Sequence, residues 1–482
     1  MKKLNILMTA VALVATAVCA YAAETIEQAD APKESKKKKN SEIVDHLKSH
    51  YKFYGFIRNY MPFDTRDSYA GSGDLYYWVP KDNNWNTADE NDPNRQDLNE
   101  KSAFRMLAIT SRLGVDVSGY WIGDNEFGGK VEADFFAGLT GSTGTAQLRL
   151  RQAYMTVKWT NPDAPEYTIG FKAGQAWHPI AADLPDILAL DSGMPFGPFS
   201  RTPQMTADFN LGRNFTITAS AIWQMQYCSA GLPTEEKNEA GKITKVTANS
   251  SADYIKYSKT PEFYLGLSYQ TGGFLGRVGV DVTSICPVST RKIDGVTMKV
   301  KDRETSVLGF MYLQYTKNLF KFKAKTVYGG SGEHVNLESG YAVYDKSDPY
   351  NWKYTPIRTS DTWVTLSYGQ KVQGSVLLGY MKNFGTSKDI LANAAGTGDA
   401  SCIAFQKNGA ASINQMYRIE PLVAYNVGRF TVGLEYMLTA VQYGDQDANN
   451  PYLYTYTLRA LPYGGMHWVM NHRIEGMVRF TF

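Results

Sequence analysis

The ten residues Arg473 to Phe482 constrain the fold most. Counting back by twos puts Phe482, Phe480, Val478, Gly476 and Ile474 on one face. Thr481, Arg479, Met477, Glu475 and Arg473 fall on the other. Period-two alternation rich in aromatic and β-branched residues predicts a strand. An apolar strand at the edge of a soluble sheet invites aggregation, so a sandwich is the weaker reading of this stretch. A barrel in lipid has no edge, and its outer face must be apolar.

Composition agrees with a barrel. The 482 residues include 32 Tyr, 22 Phe and 9 Trp, and Tyr and Trp suit the boundary between water and hydrocarbon. The mean hydropathy is that of a polar protein. A helical membrane protein would show apolar runs of roughly 20 residues, and the only long run is Leu4 to Ala20. That run, preceded by Lys2 and Lys3 and followed by Ala20-Tyr21-Ala22, reads as a signal peptide over residues 1–22. Its removal takes the net charge from +3 to about +1. Residues 23–50, with Lys36 to Lys39, read as a flexible basic arm in the periplasm. Residues 51–482 read as the barrel domain. Cys228, Cys286 and Cys402 show no CxxC spacing and predict neither a disulfide framework nor a zinc site. One bridged pair plus one free thiol stays open.

Sixteen alternating segments can be counted between Lys52 and Phe482. The second is expected near Ala103 to Val117 and the twelfth near Trp363 to Tyr368. Connections after even-numbered segments are short. Most of those after odd-numbered segments are long and rich in Gly, Asn, Asp and Tyr. Short turns on one side and long loops on the other mark a transmembrane barrel with both ends in the periplasm. The fold class read here is therefore all-β: a transmembrane antiparallel β-barrel of about 16 strands. A barrel of that width keeps a water-filled lumen, whereas about eight strands would be filled by side chains.

Alternation also assigns the lining. Phe320, Phe322 and Ala324 alternate with Lys321, Lys323 and Lys325, so three lysines point inward as a ladder. Arg58, Arg112 and Lys172 fall on polar faces too, as do the acids Glu132 and Asp134. Around Arg149 and Arg151 the alternation breaks at Gln152, which predicts a bulge that still lets both arginines reach the lumen. A polar lumen of mixed charge is the plain reading. A basic track that attracts anions is the sharper one.

The connection from His178 to Pro203 is unusual. It carries five prolines around the apolar run Ile187-Leu188-Ala189-Leu190. An apolar loop is not stable in water, so this third loop is expected to fold inward, with an external lid or subunit latch as the alternative. Its Asp183, Asp186 and Asp191 would face Arg149, Arg151 and Arg112 across a constriction, with Arg201 as a further charged residue of the same loop.

The six histidines show no metal spacing, and no G-x-S-x-G or H-E-x-x-H is present. No enzyme activity, cofactor, metal or nucleic-acid partner is expected. The segments Lys52–Tyr60 (KFYGFIRNY), Ser111–Gly114 (SRLG) and Arg151–Tyr154 (RQAY) resemble the DcaP-like family of Gram-negative outer-membrane porins. The ending resembles the closing strand of outer-membrane barrels, whose terminal aromatic, here Phe482, is read by the barrel-assembly machinery. The resemblance implies sixteen-stranded homotrimeric diffusion channels in the cell outer membrane, in contact with lipid and lipopolysaccharide. It also implies a periplasmic N-terminal extension and passage of small organic anions. Here the extension is short and without clean heptads. A phosphate-selective porin, or a barrel that only anchors a surface binding or adhesion function, are the alternatives.

Overall fold

The computed structural model describes residues 47–482 apart from 72–75, 88, 109, 137–146, 240–242, 406–412 and 448–449. The signal peptide and most of the basic arm lie outside the described residues. Sixteen long strands form one antiparallel sheet: β1 Tyr51–Asp64, β2 Arg112–Ile122, β3 Asn125–Phe136, β4 Gln147–Thr160, β5 Thr168–Trp177, β6 Arg201–Leu211, β7 Phe215–Ile222 and β8 Glu262–Thr271, followed by β9 Phe274–Ile285, β10 Glu304–Lys317, β11 Phe320–Gly330, β12 Lys353–Gly369, β13 Val372–Thr386, β14 Ile413–Val427, β15 Phe430–Tyr443 and β16 His467–Thr481. Three short segments, Ala103–Phe104, Gly340–Asp345 and Ile403–Phe405, extend the same sheet.

The sheet closes on itself. β16 pairs with β15 on one side and with β1 on the other, from Phe56 opposite Thr481 to Asp64 opposite Arg473. Gly55 and Phe482 exchange backbone hydrogen bonds of 3.2 and 3.0 Å at the seam. The Phe482 ring lies where a Cβ on Gly55 would stand, so only glycine lets the aromatic seat there. The closed sheet leaves no free strand edge along the wall, which lipid demands.

The outward face is apolar and exposed along strand after strand. Ile57, Leu113, Phe171, Leu265, Val280, Leu366, Val432 and Ile474 are among these residues, with Phe53 at 72%. In water such a band would be an aggregation hazard, whereas in a bilayer it is the favourable surface. Even-numbered strands are followed by turns of two or three residues, such as Gly123-Asp124 and Gly272-Gly273, except for seven residues after β4, and the connections after odd-numbered strands are all longer.

Two strands differ from expectation. β2 begins at Arg112, not near Ala103. The preceding segment is instead tied to the rim of β1, where Leu107 and Tyr60 exchange backbone bonds and Arg105 reaches Asp64 at 2.8 Å. β12 begins at Lys353, ten residues before Trp363. Its upper part alternates inward Thr355, Ile357, Thr359 and Asp361 with Pro356, Arg358 and Ser360. A strand that stands clear of the hydrocarbon needs no apolar outer side chains, so the alternation there is hard to read. Cys228, Cys286 and Cys402 are all free thiols.

Candidate functional site: a constriction between the third loop and an arginine wall

The connection between β5 and β6, here L3, enters the lumen. Its bonds to the wall can be followed in chain order. Lys325 of β11 donates to the carbonyls of Ile180 and Asp183 at 2.9 and 2.7 Å. Arg277 of β9 holds both carboxylate oxygens of Asp183 at 2.8 and 2.9 Å. Lys323 takes the Leu184 carbonyl at 3.1 Å and Asp186 at 2.7 Å. Ser375 of β13 donates to the Asp186 carbonyl. The amides of Leu188 and Ala189 donate to Glu435 of β15, while the Tyr60 hydroxyl of β1 donates to the Leu188 carbonyl at 2.8 Å. Arg418 of β14 closes the path on Asp191 at 2.7 Å, with both side chains fully buried.

The apolar residues of L3 seat on bare backbone. Phe196 occupies the place of a side chain at Gly379, and Leu188 does the same at Gly433. Two other loops join L3 inside the mouth. The Ser68–Gly71 and Tyr76–Pro80 hairpin offers carbonyls to Arg418, Tyr443 and Arg473. In the β11–β12 loop, Val335 accepts from the Phe199 amide. Sequence reasoning singled out only L3. Inward folding of the others depends on loop carbonyls meeting Arg418, Arg473, Tyr443 and the Phe199 amide, and strand alternation carries no trace of that.

Opposite L3, on β1 to β6, stands a cluster of arginines. The ladder between β3 and β4 shifts register between Glu132 and Ala133, leaving Arg151 as the extra residue. The bulge falls one position before Gln152, and Arg149, Arg151 and Gln152 all bond lumen acids. Arg149 and Arg151 bind Asp134 at 2.9 and 2.7 Å, and Arg151 also binds Glu132 at 2.7 Å. Arg112 lies 3.8 Å from Glu132. Arg58 stacks on Phe56 and Tyr60 and bonds Thr110. Arg201, the first residue of β6, sits between Trp177 and Phe199 with one guanidinium nitrogen unpartnered.

These five arginines line a space of about 290 Å³. Its other side is the apolar stretch of L3, including Leu184, Ile187, Leu188 and Leu190. Lys172 lies elsewhere, over the Tyr154 ring.

Two expectations are corrected here. Asp183, Asp186 and Asp191 do not face Arg149, Arg151 and Arg112; they are turned to the opposite wall, on Arg277, Lys323 and Arg418. Nor is the lysine ladder an open track. Lys325 is buried under L3, Lys323 is paired, and Lys321 lies 3.4 Å from the same Asp186. The acids and lysines lie across one narrow gap, and the cheapest way to bury the loop's charges is to pair them there.

Comparison with solved structures decides the fold. The outer membrane channel DcaP of Acinetobacter baumannii aligns over 90% of this chain and 97% of its own, with a TM-score of 0.59 at 16% identity. The chain has the fold of an outer-membrane porin. At that level the likeness to the DcaP-like channels stands. An anion-selective porin from Comamonas acidovorans and Salmonella typhi OmpF, solved with daunomycin, also align over 90% of the chain, at 10% and 11% identity and a TM-score of 0.47 each. No family model matches the sequence, and no curated protein does.

Proposed function

We propose that this porin-fold protein is a water-filled channel of the Gram-negative outer membrane for passive diffusion of small hydrophilic solutes, favouring organic anions. The carrying observation is the two-sided slot: Arg58, Arg112, Arg149, Arg151 and Arg201 on one side, apolar L3 on the other. Among the described residues Glu132 and Asp134 are the acids ion-paired with these five guanidiniums, so a positive excess remains. Guanidinium forks match carboxylates, and the apolar shelf suits a hydrocarbon body. That pairing favours organic anions over inorganic phosphate. Each protomer is proposed to assemble into homotrimers through the lipid-exposed face, with residues 1–22 cleaved and the basic arm in the periplasm. Phe482 is proposed as the signal read by the assembly machinery, and its replacement by Asp is expected to block surface delivery.

The test is single-channel recording in planar bilayers, with reversal potentials in KCl gradients and competition by benzoate, succinate and phosphate. A stable pore with anion preference, blocked best by the organic anions, is the expected result. A protein that inserts but does not conduct would make the barrel an anchor.

A further inference from the structure

At the outer rim, where L3 leaves β5, four buried donors converge: His178, Glu262, Asp281 and His334. One ligand atom from each lies within 4.8 Å of all the others. His178 opens L3, Glu262 begins β8, Asp281 lies in β9, and His334 lies in the short helical turn Glu333–Val335. All are at most 2% exposed. We propose that these side chains bind one divalent transition ion of the zinc class, which clasps the root of L3 to the barrel wall.

The polar accounting points to a ligand. Both Asp281 oxygens, Glu262 Oε2 and His334 Nε2 are buried without a hydrogen-bond partner. Among the described residues no lysine or arginine pairs with either carboxylate; the histidines are their only ion-pair partners. Two further buried acids, Glu304 and Glu333, sit in the same rim, each with one oxygen unpartnered. Buried carboxylates without compensation are costly, and a divalent cation supplies two positive charges at once.

The tautomers fit. His334 Nδ1 lies 3.0 Å from the Ser331 carbonyl, which can only accept, so Nδ1 carries the proton there. In the neutral ring Nε2 then aims a lone pair at Glu262 and Asp281, 3.3 and 3.6 Å away. Lone pair against carboxylate is unfavourable unless a proton or a metal cation lies between them; one proton offsets one of the two carboxylates, a divalent cation both. A ring anchored through its second nitrogen to a carbonyl is the usual support of a metal-bound histidine. Edges of about 3.3–3.6 Å are what a tetrahedron with zinc–ligand bonds of roughly 2.0–2.2 Å requires. His178 is bound through Nε2 to Glu262 and takes a long contact, 3.3 Å, from the Ile180 amide on Nδ1. Coordination by Nε2 moves its proton to Nδ1 and gives up that contact. Two imidazoles with two carboxylates select zinc-class ions over calcium or magnesium, which take oxygen sets.

Because the site is buried, it loads during folding. Untagged protein is refolded from urea into detergent with zinc or with EDTA, desalted, and analysed for metal and for its heat-induced gel shift. The zinc-refolded protein is expected to retain about one zinc per chain and to unfold about 5 °C or more above the EDTA sample. D281N/H334Q, checked for folding by the same gel shift, is expected to lose both effects. Wild-type protein that refolds without retaining zinc, or with a heat transition indifferent to it, overturns the clasp and leaves an ion-paired histidine–carboxylate cluster. That result decides even if the double variant fails to fold, and it leaves the arginine slot untouched.

Discussion

The two halves of the lumen use their cations differently. On β9 to β14 the basic residues Arg277, Lys323, Lys325 and Arg418 are engaged by L3. On β1 to β6 the arginines face open space, with two carboxylates between them. Inward charge is therefore not one property. A cation that pins a loop shapes the aperture, and one that borders the gap is free to act on a solute in the proposed channel. Counting lumen lysines and arginines along strands merges the two.

The comparison can be broken from the pinning side first. Arg418→Met leaves Asp191 buried and unpaired, a change worth roughly 3–5 kcal/mol. Its heat-induced gel transition is expected to fall sharply, and single-channel traces to become noisy as L3 detaches. Lys325→Met is expected to do the same to a lesser degree, since it strands two carbonyls at about 1–3 kcal/mol of lost hydrogen bonding. Neither change should reverse ion preference at low voltage; a reversal would show that the pinning side also filters.

The filtering side gives a milder effect on stability and a larger one on selectivity. Arg58→Gln with Arg112→Gln is expected to move the reversal potential toward cations while the gel transition stays within a degree or two of wild type. The shift should grow at low salt, where the Debye length reaches about 30 Å at 0.01 M. The smallest effect is expected for Lys321→Gln. Lys321 is half-exposed and shares Asp186 with the closer Lys323, so both readouts should hardly move. A selectivity change there as large as that at the arginines would restore the ladder as a track.

The barrel was legible in the sequence because lipid imposes one rule on every wall residue. Phe263, Leu265 and Leu267, or Val432 and Leu434, advertise their face through spacing alone. Inward placement of the lysines and arginines followed from the same rule. Their partners did not. Asp183 meets Arg277 across 94 positions, and Asp191 meets Arg418 across 227, contacts that no local pattern encodes. The histidine–carboxylate cluster escaped for the same reason. His178 and Glu262 are 84 residues apart, and the hint that alternation offered was Asp281 as an inward acid on β9.

L3 has a mechanical consequence as well. A wide barrel wall is a thin shell, easily flattened by pressure from the side. L3 bonds to β1, β9, β11, β13, β14 and β15, so it spans the shell as a tie spans a hull. Squeezing the wall must stretch or slacken those bonds together. The loop that narrows the lumen thereby braces six strands of the wall against one another, so flattening at any one of them is resisted at the rest.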